Sequence, residues 1–167
     1  MARRFRRNKQ SRLVVRLTNE EVALLRRLPA DLEVLVRSGD RDDPVTQRLF
    51  PRAYLDPTEE EAESDFQRLV HEELVSERLA ALTLLGATLE RAEPARGQWV
   101  ECELTEDDEA AWLGVLNDAR LALGTRLGVT EEMDARHLDL DDPEAPAFAL
   151  YDWLTVLQGQ LIEALTG

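Results

Sequence analysis

The chain has 167 residues, 44% of them apolar and 32% charged, and a net charge of −14. That length suits one domain whose folding buries roughly two-thirds of the unfolded surface, and the composition excludes disorder in bulk. Aromatic residues at 5% argue against a large β-sandwich, a single cysteine excludes an internal disulfide or a Cys-rich zinc site, and no apolar run reaches the length of a membrane span.

In chain order, residues 1–11 read as a mobile basic arm. Residues 1–12 hold Arg3, Arg4, Arg6, Arg7, Lys9 and Arg12 and no acid, whereas the rest of the chain has 14 basic against 34 acidic residues. Arg3, Arg4, Arg6 and Arg7 are therefore the candidates for contact with nucleic acid. The acidic body repels phosphate over most of its surface. The N-terminus is basic but lacks the apolar stretch of a signal peptide, so a cytoplasmic protein is expected.

Residues 12–167 read as a single helical domain. Arg12 to Leu17 alternates like a short strand, with Leu13, Val15 and Leu17 on one face. Thr18 and Glu21 form a capping box, and a helix with Val22, Leu25 and Leu28 on its buried stripe should follow. Pro29 either kinks that helix or starts another. Ser38 to Pro44 is a loop, and Val45 to Phe50 a short apolar turn or helix. A second box, Thr58 and Glu61, opens a long helix to about Glu90, carrying Phe66, Leu69, Val70, Leu74, Leu79, Leu82, Leu85 and Leu89.

Trp99 to Leu104 alternates again, placing Val100, Cys102 and Leu104 together. Thr105 and Asp108 cap the next helix, which should end at Gly124 or Gly128. Val129 to Pro146 is acidic and loop-like, and a final helix runs from about Ala147 to Leu165. The two strand–cap–helix units suggest that the strands over 12–17 and 98–104 pair. The expected fold is thus mainly α: a multi-helix, orthogonal or bundle-like domain with a small two-stranded β-sheet. Leucine stripes on the two long helices suggest a homodimer.

No catalytic, cofactor or metal constellation emerges, and no enzyme is expected. His71 has Glu72, Glu73 and Glu77 nearby but no second histidine within a turn, so it reads as part of a solvated helix face. His137 lies in the acidic loop. Asp139, Asp141 and Asp142 lack the glycine and closing glutamate of a calcium loop. Neither a GxGxxG nor a GxxxxGK[ST] occurs. Cys102 sits on the apolar face of its strand; as an isolated redox candidate it would need exposure and a lowered pKa, and Glu101 and Glu103 act the other way.

The most distinctive stretch is Asn117 to Gly128, NDARLALGTRLG. Arg120 and Arg126 lie near a helix C-terminus, where cations are favoured. Asn117 and Asp118 can pair with an arginine on a neighbouring helix. Asn117, Asp118, Arg120 and Arg126 are either such a structural network or a partner-binding patch.

RLFPRAY at Arg48 to Tyr54, WLGVLNDARLALGTRLGV at Trp112 to Val129 and YDWLTVLQGQLIEAL at Tyr151 to Leu165 resemble an actinobacterial family over nearly the whole chain. It is the family of AosR-like oxidative-stress regulators, formerly a domain of unknown function encoded beside the ClpS protease adaptor. The resemblance implies a cytoplasmic regulator of transcription under oxidative stress, acting through protein contacts such as a sigma-factor surface. A basic partner surface suits an acidic body. Sensing in such regulators involves a pair of cysteines; Cys102 stands alone, so the fold and broad role carry over and the sensing mechanism does not. The alternatives are DNA binding assisted by the arginine arm, or a role tied to the Clp adaptor system.

Overall fold

The computed structural model describes residues 3–51, 56–129 and 141–167. Strand β1 (Phe5–Arg7) and β2 (Leu13–Thr18) form a hairpin. Helix α1 (Asn19–Ser38) and the short α2 (Pro44–Leu49) follow. A 3-10 turn (Pro57–Glu59) leads into α3 (Glu60–Glu90). Then come β3 (Glu93–Pro94), β4 (Trp99–Leu104), α4 (Glu106–Leu127) and α5 (Ala145–Thr166). Among the described residues no helix is long and apolar enough to cross a membrane.

The molecule is mainly helical, as expected, but its sheet has four strands in the order β1-β2-β4-β3, not two. The predicted pair is present: β2 and β4 run antiparallel, with Val15 opposite Cys102 and Leu13 opposite Leu104. The short β3 adds one edge and β1 the other. Residues 5–7, expected within a mobile arm, therefore belong to the sheet. Two causes are visible. Phe5 is an apolar residue among arginines, and it is 4% exposed. The Asn8 side-chain oxygen accepts from the backbone N–H groups of Gln10 and Arg12, which closes the turn back into β2.

Both outer capping boxes form. Thr18 and Glu21 cap α1, and Thr105 and Asp108 cap α4, each threonine accepting from the third helical N–H while the acid accepts from the cap. The box expected at Thr58 and Glu61 does not. Asp56 instead accepts from the backbone N–H of Thr58 and caps the 3-10 turn. Proline at position 29 lies inside a single α1, which ends at Gly39 in the left-handed conformation. Gly128, not Gly124, is the left-handed cap of α4.

The core lies between the sheet and the packed helices. Phe5, Leu13, Val15, Leu17, Cys102 and Leu104 face it from the strands, and Leu25, Leu85, Leu89, Trp112, Leu116, Leu154, Leu157 and Leu161 from the helices. The C-terminal half of α3 follows the expected stripe, but its N-terminal half departs from it. Glu63 and Gln67 are buried there, Gln67 donating to Glu63 at 2.9 Å, while Leu69 is 75% exposed. The cause is a polar neighbour: this half lines a cleft with α2 instead of meeting the apolar core.

The leucines that suggested a homodimer mostly turn inward. The large apolar side chains left exposed among the described residues, Leu24, Val34, Leu69, Val156 and Ile162, are scattered over α1, α3 and α5.

Candidate functional site

Helix α4 carries the distinctive segment through the middle of the fold, packed against α2, α3 and α5. Its first turn is anchored by Asp108, which accepts from the Thr105 N–H and from Arg91 at 3.0 Å. One turn on, Trp112 is fully buried and its indole N–H donates to the Thr88 hydroxyl at 2.7 Å, which in turn donates to the Leu85 carbonyl.

The polar residues of the segment point in different directions. The Asn117 side-chain oxygen accepts from Gln158 on α5 at 3.2 Å. Asp118 faces Arg78 on α3, with 3.6 Å between carboxylate oxygen and Nε. Arg78 also donates to the Leu49 carbonyl at 2.6 Å, and its guanidinium lies 4.8 Å from the centre of the Phe50 ring. One arginine thus ties α2, α3 and α4 together. Burial raises the Asp118 pKa, and the Arg78 charge opposes that rise.

Arg126 pairs with Asp43, the cap of α2, at 3.3 Å. Arg120 is different: its Nε is buried and has no hydrogen-bond partner. Asn117, Asp118 and Arg126 therefore serve the helix packing, and Arg120 is the member of the set left with an unanswered donor. Sequence reasoning missed Arg78. The available signal was its place in α3, where Arg68 is the only other arginine, on the same helical face as the buried Leu82 and Leu85.

Gly124 explains another part of the motif. A Cβ there would come within 2.9 Å of the Tyr151 ring, so its bareness lets α4 and α5 approach. Gly114 on the same helix has open space around it. Alanine at Gly114 is expected to stabilise by up to about 1 kcal/mol through helix propensity. Alanine at Gly124 is expected to destabilise despite the same gain, by roughly 1–2 kcal/mol. Paired thermal melts separate the two, and equal shifts would contradict the close approach.

Cys102 is 1% exposed. Burial pushes its thiol up to about 11, against the weaker pull of Arg91 and Arg26. These are the properties of a packing thiol, since a reactive one needs thiolate and access. The sign of the linkage follows. The unfolded thiol ionises near 9.0 and the folded one near 11, so stability is intact below pH 9.0 and falls as pH rises between the two. Urea melts from pH 8 to 11 should show this fall, reduced in Cys102→Ala relative to its own stability at pH 8.

The arginines of the N-terminal stretch are largely engaged. Arg4 pairs with Glu21 at 2.6 Å, Arg6 with Glu101 at 3.1 Å and Arg7 with Glu109 at 2.7 Å. Arg16 also meets Glu101, and Arg12 meets Glu103. Burial disfavours the Glu101 charge, but the bonds from Arg6 and Arg16 outweigh it and hold its pKa down. The outer face of the sheet is thus a layer of paired charges over the buried Val14. Arg3 is exposed and has no ion pair among the described residues.

His71 is not on a solvated face. Its Nδ1 is buried without a hydrogen-bond partner, and its ring tilts against Phe50 at 5.2 Å between centroids. It lines a polar cleft of about 700 Å³ with Thr46, Glu63 and Gln67. His137 and Asp139 lie outside the described residues. Among the described residues no group of three or more His, Cys, Asp or Glu side chains could hold a metal.

The segments that build these contacts match a known family. The model of the family described as Domain of unknown function (DUF2017) covers residues 2–165. The chain belongs to the DUF2017 family. Two similar proteins, from Mycobacterium tuberculosis and Mycobacterium bovis, are each named Oxidative stress regulator AosR. Each is 37% identical over 137 residues, 75% of this chain and 59% of its own length. A relative from Mycobacterium leprae is 33% identical over 151 residues, 81% of this chain and 66% of its own length. This DUF2017 chain therefore matches less than two-thirds of the length of these relatives. No solved structure matches it.

Proposed function

We propose that this chain is a non-enzymatic cytoplasmic regulator of the oxidative-stress response, acting on transcription through protein–protein contacts. The observation that carries the reading is the 37% identity, over 75% of the chain, to proteins named as oxidative stress regulators. The net charge of −14 supports contact as the mode of action, since an acidic body favours a basic partner surface such as that of a sigma factor. Sensing by this chain's one thiol is not part of the reading, because Cys102 is buried and its burial raises the thiol pKa.

The test is a deletion of the gene followed by a peroxide challenge, with transcripts compared before and after. The reading expects a defined set of peroxide-induced transcripts to lose its induction, to regain it with the intact chain, and to regain it equally with Cys102→Ser. An unchanged peroxide response would overturn the regulatory role. A second arm isolates the tagged chain from native cytosol under oxidising and reducing conditions. Recovery of RNA polymerase or a sigma factor supports action on transcription, and recovery of neither under both conditions removes it.

A further inference from the structure

We propose that the open edge of β1 is a docking site for an extended acidic peptide of a partner protein, which adds to the sheet as a fifth strand. The inference deepens the reading as a contact-based regulator and rests on it for the partner being a protein. The first support is the register of the hairpin. Arg16 N–H donates to the Arg4 carbonyl at 2.7 Å, and Asn8 N–H to the Arg12 carbonyl at 2.9 Å. Arg6 pairs with Val14 between them. Residues 4, 6 and 8 therefore turn their main-chain groups towards β2. By alternation, Phe5 and Arg7 turn theirs outward. No described hydrogen bond meets them there. An edge with free N–H and C=O groups is a template for strand addition.

The second support is the space and its lining. A groove of about 650 Å³ separates β1 from the end of α5, bordered by Arg3, Arg4, Arg6 and Arg7 on one side and by Gln160, Glu163 and Ala164 on the other. The Gln160 side-chain oxygen is buried there without a partner. Glu163 is the one acid in the described lining. The existing ion pairs of Arg4, Arg6 and Arg7 each involve one terminal nitrogen, and a guanidinium has five N–H donors, so donors remain for an incoming carboxylate.

Charge also selects the occupant. A second copy pairing through the same edge would set four arginines against four, which is unfavourable. An incoming strand with acids on the Arg4 and Arg6 face, and small apolar residues towards Phe5 and Ala164, meets the groove on both sides. This edge is separate from the acidic body that suits a basic partner, so the two contacts are compatible.

The test uses the full chain, purified, and a fluorescent ten-residue peptide alternating valine and glutamate. A valine–lysine peptide and a twenty-base-pair DNA duplex are the comparators. Anisotropy should show saturable, salt-sensitive binding of the glutamate peptide alone. Arg7→Gln keeps the outward N–H, whereas Arg7→Pro removes it without removing a bond to β2. Proline should weaken binding at least about tenfold beyond glutamine. In the unmodified chain, the Phe5 and Arg7 amides should gain exchange protection when peptide is added, which settles the point if the proline variant fails to fold. Absence of binding, equal binding of the lysine peptide, preference for the duplex, protection elsewhere, or self-association abolished by Arg7→Gln would each overturn the proposal. Because these components are purified, failure here leaves the peroxide experiment standing, and the reverse also holds.

Discussion

Trp112→Ala is expected to lower stability by about 4 kcal/mol, within the range for removing a buried aromatic side chain. The indole is fully buried at the centre of the helix packing, among the largest side chains in the core. Its removal leaves a cavity that neighbouring elements fill only in part. It also takes the N–H donor from Thr88, which keeps its own bond to the Leu85 carbonyl. For a chain of this length the melting temperature should fall by roughly 10 °C. Thr88→Val divides the effect: it leaves the indole in place with an orphaned N–H, at a cost of about 1–3 kcal/mol. If thermal unfolding followed by circular dichroism shows a Trp112→Ala shift under about 3 °C, the central role of this residue is wrong.

Arg78→Ala is expected to cost about 3 kcal/mol, because it breaks a mostly buried ion pair from one side. Three contacts go together: the pairing with Asp118, the bond to the Leu49 carbonyl and the position over Phe50. Asp118 would remain in place without its counter-charge. Its pKa is already raised by burial, and losing Arg78 raises it further. The sign follows from proton binding. The folded carboxyl holds its proton to a higher pH than the unfolded one, so its ionisation weakens the fold as pH rises above 3.8 and acidification restores stability. Arg78→Ala should therefore show a deficit that narrows on moving from neutral pH down towards 3.8, and Arg78→Ala combined with Asp118→Asn should lose that narrowing. Denaturant melts at several pH values measure both.

Much of the fold was written in local patterns. The Thr18–Glu21 and Thr105–Asp108 boxes, the two alternating strands and the leucine stripe from Leu82 to Leu89 act over a few residues, and each forms where the sequence places it. What failed depended on distance. Arg4, Arg6 and Arg7 look like a free tail until Glu21, Glu101 and Glu109 arrive from elsewhere in the chain. The short-range signals for that strand were Phe5 and the turn-forming Asn8. His71 looks like part of a solvated face because the cleft it lines is made with α2. At the distinctive segment the sequence pointed to an arginine for Asp118 but not to which one, since the place of Arg78 on the buried face of α3 marks it as engaged without naming a partner forty residues away.

The sheet assignment of β1 changes how the N-terminal arginines can be tested. Deletion of residues 1–11 would seem the direct way to ask whether they bind nucleic acid. It would also remove Phe5 from the core and strip the cover from β2, leaving a strand with Leu13, Val14 and Val15 as the new border of the sheet. Such a truncation is a folding mutant with an adhesive flank, prone to self-pairing. Any loss of binding it showed would be uninterpretable. Point replacement by glutamine at positions 3, 4, 6 and 7 keeps the strand and isolates the charge.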